Sequence, residues 1–345
     1  MTTTSEHAQG ASTPSSMSGN RLVVLVSRVR ELGLLVVLLL IIVVVGVQVP
    51  QFLTLSNMEQ ILLSVSILAI VAIGETLVIL TRNVDLSVGS IVGFAAFVAA
   101  NLFKQNPGAN LLLGILLGCA LGLVLGAVNG LLVTWGRVPA IVATLGTLYV
   151  YRGLDFLYAG GNQISASDVP DSFLSLATAP FLGIPLLIWF AAVLAILFGY
   201  LLHSSRTGRQ LYAIGSNPDA ARLVGIRSSL LVFGTFAIAG LLSGFAGVLW
   251  AARFATVDAT AASGLELQVI AAVVVGGVNI FGGSGTILGA MLGAIVLGTI
   301  DNSLSFLKVS QFWLLAIDGA AILIAVTLDA FITRWMQRLL ITRRQ

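Results

Sequence analysis

Charge is scarce in this chain. Asp, Glu, Lys and Arg make up 9% of its 345 residues, against about a quarter in an ordinary soluble domain. Histidine occurs only at His7 and His203, and cysteine only at Cys119. One cysteine can build neither a disulfide framework nor a thiolate metal site, and within an apolar run it reads as a small packing residue. Two histidines, one in a polar tail and one in a loop, leave no HExxH zinc pair and no Ser-His relay. No GxxxxGK[ST] stretch occurs, so the chain supplies no Walker phosphate loop. The basic residues give a net charge of +3 but are scattered over loops without forming a dense stripe, which argues against nucleic acid as a partner.

What the chain has is apolar length. Hydrophobic residues reach 58% and the mean hydropathy is +1.05, values that a water-facing globule cannot carry. Uninterrupted runs such as LLVVLLLIIVVVGV can satisfy their backbone in lipid only as helices, and the alternating segments of a membrane barrel do not appear. The expected fold is an all-α integral membrane protein, a polytopic bundle of about eight to ten transmembrane helices with broken helices and an internal repeat. Ten apolar runs read as spans, near 32–49, 57–80, 86–103, 111–134, 138–157, 181–202, 229–252, 267–280, 285–303 and 312–331, the eighth too short to cross comfortably. Residues 1–30 read as a polar N-terminal tail, 31–332 as the membrane domain and 333–345 as a basic C-terminal tail. Counting from an inner start, thirteen of the 17 basic residues fall inside and four outside, which places both termini in the cytoplasm.

Two breaks share a pattern: VDLSVGSIVG at 84–93 and VNIFGGSGTILG at 278–289. Paired Gly-interrupted breaks point to a transport pathway, and the span count puts both on the inner face. In the first, Asn83 or Asp85 can cap the next helix, while Ser87 and Gly89 permit close contact. An ionisable group inside a span costs about 2.5–3.5 kcal/mol, so each should face the bundle interior or a cavity. Glu75, Arg152, Asp155 and Asp318 are such groups, and Asp85 lies in the first break. Arg152 and Asp155, one helical turn apart, can pair; Asp318 has no local partner. Asp301 and Asn302 close the ninth span, where a solvated role costs less than a buried one. Asn129 lies within a stripe of glycines from Gly114 to Gly130 at four-residue intervals, a pattern of close helix packing in lipid. Together with Asn279 of the second break and Ser87, these polar residues form the candidate translocation pathway: Glu75, Asp85, Ser87, Asn129, Arg152, Asp155, Asn279 and Asp318.

The inner loop 203–228 contains SNPDAARLVGI, which reads as a short helix with Ser216 or Asn217 as cap, Pro218 in the first turn and Gly225 as the stop. Asp219, Ala220, Ala221 and Gly225 match the EAA-x3-G spacing of bacterial ABC-importer permeases, with Asp in place of Glu. Together with GETLVILTRNVDLSVGS, ATLGTLYVYRGL and VVVGGVNIFGGSGT, the loop resembles the membrane subunits of monosaccharide ABC importers of the ribose, xylose and rhamnose type, relatives of which carry autoinducer-2. The resemblance covers about residues 35–330 and implies a dimer of permeases, homomeric or with a sister permease, in the bacterial cytoplasmic membrane. It further implies a solute-binding protein outside and ABC ATPase subunits inside, with MgATP bound by the ATPase and no cofactor on this chain. Asp219, Ala220, Ala221, Arg222, Leu223 and Gly225 would then be the ATPase-coupling residues. Two other readings are an ion-driven secondary transporter with Glu75, Asp85 or Asp318 as its ion site, and an intramembrane enzyme reduced to carboxylates such as Asp85 and Asp318.

Overall fold

The computed structural model describes residues 17–310, 312–313, 315–324 and 327. In chain order its helices are α1 (Met17–Gln48), α2 (Leu55–Leu80), α3 (Val88–Gln105), α4 (Leu111–Thr134), α5 (Ala140–Ala159), α6 (Asp171–Thr178), α7 (Leu186–Ser204), α8 (Arg206–Ser216), α9 (Pro218–Leu223), α10 (Ser228–Phe254), α11 (Leu265–Val275) and α12 (Ile287–Phe306). Seven of them (α2, α3, α4, α5, α7, α10 and α12) are long and apolar enough to cross a bilayer, and shorter apolar stretches lie at Leu32–Gln48, Leu265–Val275 and Leu315–Ile324. These ten pieces are the ten apolar runs. α1 begins at Met17, inside the stretch read as tail, and the tail at 333–345 lies outside the described residues.

Helix starts follow local chemistry. Thr54, Asn110, Ser205, Asn217 and Thr286 each accept a backbone N–H of the helix they open, meeting donors that a helix start leaves free. At the centre stands α2, buried from Ser66 to Leu80 and flanked by α7, α10, α11 and α12. α4 and α10 cross at backbone contact, because lipid supplies no hydrophobic drive between helices and small residues let dispersion do the work. A β-carbon on Gly122 would run into the Gly240 carbonyl, and one on Gly244 would strike the Gly118 carbonyl. The glycine stripe is therefore a packing seam.

The connections gather at two ends. At one end lie the turns after α2, α4 and α11 and the pair α8–α9. At the other, Phe103 stacks on Phe173 with ring centroids 4.4 Å apart and seats α6 on α3, followed by a two-stranded hairpin of β1 (Pro180–Phe181) and β2 (Ile184–Pro185). A single bridge joins Ile164 to Val257, tying the long loop to the segment after α10.

The eighth run is shorter than its sequence suggests. α11 has 11 residues, about 16 Å of helix against a hydrocarbon core of about 30 Å. The missing half is irregular chain, residues 255–264, and it packs beside the first turns of α3: a β-carbon on Gly93 would collide with the Ala261 carbonyl, and one on Gly89 would meet Glu266 and the Ala262 carbonyl. Non-helical backbone at such depth is tolerated only where protein or a water-filled route surrounds it.

Candidate translocation and coupling site

The loop 203–228 holds two helices where the sequence suggests one. Asn217 Oδ1 accepts Ala220 N–H at 3.0 Å, Pro218 fills the first turn, and Gly225 ends α9 with φ +78°, a left-handed conformation that suits glycine. Ala221 is buried, whereas Asp219 and Arg222 are exposed and 4.0 Å apart, a pair of little energetic weight. At the tip Leu223 is 89% and Val224 75% exposed.

This knob grips both breaks. Arg82, which follows α2 with φ +66°, donates from Nε to Gly215 O and from Nη2 to Ser216 O (2.8 Å), at the corner between α8 and α9. Gly283 of the second break donates its N–H to Leu80 O at 3.0 Å, and Gly215 sits so close to both that a side chain there would meet Leu80 O and Gly283 N. Tyr212 of α8 donates its hydroxyl to Gly285 O at 2.7 Å, and burial pushes the phenol up to about 12, so it remains a donor at physiological pH. The two breaks therefore lie on one face, beneath the same pair of helices. A groove of about 730 Å³ runs between the first break, the α8–α9 pair and the α4–α5 turn, with Arg82, Arg137 and Arg222 in its walls.

From Arg82 the chain turns back into the bundle. Asn83 reaches backward, donating to Thr81 O at 2.9 Å, and it is Asp85 that serves the next helix: its Oδ1 accepts the backbone N–H of Ser87 at 2.9 Å and the Ser87 hydroxyl at 2.7 Å. Asp85 donates its own N–H to Glu75 Oε1 at 3.0 Å. Asn129 of α4 donates from Nδ2 to Ser87 Oγ at 2.7 Å and lies 3.3 Å from both Asp85 oxygens. The Tyr151 hydroxyl closes the group, within 2.9 Å of Leu125 O and 3.1 Å of Asn129 Oδ1. Glu75, Asp85, Ser87 and Asn129 are fully buried. Four of the eight candidate pathway residues thus form one closed polar knot joining α2, α3, α4 and α5, with Glu75 Oε2 its one unpartnered carboxylate oxygen.

The others stand apart. Arg152 on α5 lies 3.8 Å from Asp155, but its hydrogen bonds go to the irregular segment, from Nη1 to Ala259 O at 3.0 Å and to Ala261 O at 2.7 Å. Neither Asp155 oxygen has a hydrogen-bond partner. Asn279 caps its own turn, accepting Phe281 N–H at 2.7 Å. Asp318 and Asp301 line a cavity near α2 and α10, and Asp301 is half-buried there. No group of three or more His, Cys, Asp or Glu among the described residues is arranged to hold a metal.

Comparison with known proteins decides the class. Residues 57–326 match the family described as the permease component of the branched-chain amino acid transport system. The chain belongs to this permease family. This permease is 37% identical over 316 residues to the autoinducer 2 import system permease protein LsrC of Salmonella typhi, covering 92% of this chain and 89% of that one. It is 36% identical over 297 residues to the ribose import permease protein RbsC of Escherichia coli K12, covering 86% and 92%. No solved structure matches.

Several of the permease's site residues carry no local sequence signal. Arg82 reads only as one of the inner orientation charges, and Tyr151 carries no signal in the sequence. Their roles come from partners far along the chain, such as the Gly215 and Ser216 carbonyls, 133 and 134 residues beyond Arg82. Only the doubled polar patterns flanking the breaks hinted at the convergence.

Proposed function

We propose that this chain is the membrane subunit of an ATP-driven importer of the ABC class, forming the passage for a monosaccharide or sugar-like solute of the ribose, xylose or rhamnose kind, with autoinducer-2 in the same chemical range. A soluble binding protein delivers the solute on the outer face of the bacterial cytoplasmic membrane. Two permease subunits, two copies or this chain and a sister permease, pair in the bilayer. The knob end and both termini face the cytoplasm, and MgATP is bound and hydrolysed by partner ATPase subunits.

The exposed apolar tip carries this reading. Leu223 and Val224 project at the tip of α9 beside the exposed charges of Asp219 and Arg222. An apolar centre with a charged rim is the anatomy of a protein-docking site. Movement of the docked knob would pull directly on Arg82 and Gly283, at the two breaks. The names of LsrC and RbsC support the solute class.

The test is reconstitution of the purified chain with its ATPase and binding protein in proteoliposomes. Leu223→Asp with Val224→Asp should abolish ATP-driven uptake and ATPase binding while the chain still inserts and melts as wild type. Wild-type uptake by that double variant would overturn the reading.

A further inference from the structure

A cavity of about 190 Å³ lies between α2, α10, α11, α12 and the helix at 315–324, away from the knob. Two carboxylates line it, Asp301 and Asp318, together with the Gln268 amide, the Ser64 hydroxyl and the Trp250 ring; the rest of the lining is Val, Ile, Leu, Phe and Gly. Asp318 is 2% exposed; neither of its oxygens has a well-formed hydrogen bond among the described residues, and the Gln268 amide is the polar group that interacts with it. Among the described residues no Lys, Arg or His lines the space. Arg253, next to the lining residue Phe254, is turned elsewhere, donating to Gln60 Oε1 and lying 5.8 Å over the Phe254 ring.

Two acids lining a cavity with no cationic side chain among the described residues are electrically unbalanced, since burial of an unpaired charge is costly and buried charges pair or coordinate. The oxygen set, carboxylate, amide and hydroxyl, is hard and suits alkali or alkaline-earth ions in preference to zinc or copper. The volume also matters. A proton needs no cavity, whereas about 190 Å³ accommodates an ion and several waters at about 30 Å³ each. We propose that this cavity is a binding site for an alkali cation, Na+ or K+, held by Asp318 and Asp301 with Gln268 and Ser64 completing its shell. The ion cross-links α2, α11, α12 and the final helix; it is a fixed constituent of the fold and does not depend on which solute the permease carries or on what drives it.

The experiment uses the purified full-length chain in lipid nanodiscs at pH 8, with N-methylglucamine chloride replaced stepwise by NaCl or KCl at constant ionic strength. Thermal midpoint and tryptophan emission are followed together. The site predicts a saturable rise in midpoint, on the order of 3 °C, and a saturable emission change that is lost in Trp250→Phe. Both responses should disappear in Asp318→Asn and Asp301→Asn and persist in Asp258→Asn. If Asp318→Asn does not fold, Asp301→Asn and Gln268→Ala carry the same comparison. Identical behaviour in all three salts overturns the proposal, as does a midpoint that follows pH alone, which would mean that the acids hold only protons. Alkali effects that survive all the cavity variants also overturn it.

Discussion

Asn129 is where four helices exchange their polar groups, so its loss exposes buried partners rather than removing a single bond. Asn129→Leu keeps the volume but leaves Asp85, Ser87 and the Tyr151 hydroxyl short of partners, and an unmet buried group costs about 1–3 kcal/mol. Thermal or denaturant unfolding in detergent should show a destabilisation of about that size, with a smaller loss for Tyr151→Phe; an unchanged midpoint for Asn129→Leu would mean the knot contributes nothing to stability. A second residue responds to pH. The Ser165 backbone N–H (2.9 Å) and hydroxyl (3.1 Å), with Lys104 3.4 Å away, hold the Asp168 carboxyl below its usual range. A depressed carboxyl stabilises the fold above its ordinary value of about 3.9 and loses that contribution as pH falls through its lower folded value. The protection factor of the Ser165 amide, its exchange relative to an unstructured chain at the same pH, should therefore be retained at neutral pH and lost only under acid, while Asp168→Asn lacks it throughout; equal protection in the two proteins would contradict this.

Among the elements, the α4–α10 seam is the most demanding, because carbonyls lie where side chains would begin. Gly122→Val forces the helices apart and should sharply reduce the yield of folded protein, whereas Gly153→Ala, which faces open space, should be neutral. Comparable loss from both would show that the seam is not what sets the spacing. This seam was legible in the sequence because four-residue spacing of glycine has one physical use in lipid. The caps of α9 and its stop were legible for a similar reason: Asn217, Pro218 and Gly225 each act on the backbone within a few residues. α8 and the irregular segment 255–264 were not. α8 has a polar sequence, RTGRQLYAIGS, with only its Ser205 cap to mark it. The segment 255–264 is small and polar like any surface loop, and only its packing on Gly89, Gly93 and Arg152 carries it into the bundle.

At the scale of the whole molecule, the apolar runs marked the ten apolar helical pieces, but not which residues meet. Glu75, Asp85 and Asn129 stood apart in the sequence and share one knot in the fold, while Arg152 pairs with Asp155 at 3.8 Å as its spacing suggests and also gives its hydrogen bonds to a distant backbone. The same blindness hid the mechanical layout, in which one pair of helices holds the ends of two remote breaks. Arg82 is the link between them and the polar knot. The most direct measurement is solute uptake per ATP hydrolysed in proteoliposomes holding the ATPase and binding protein with Arg82→Ala. The account predicts that the ATPase still docks and hydrolyses ATP while uptake per ATP falls at least tenfold, about 1.4 kcal/mol of lost coupling; uptake per ATP equal to wild type would contradict it.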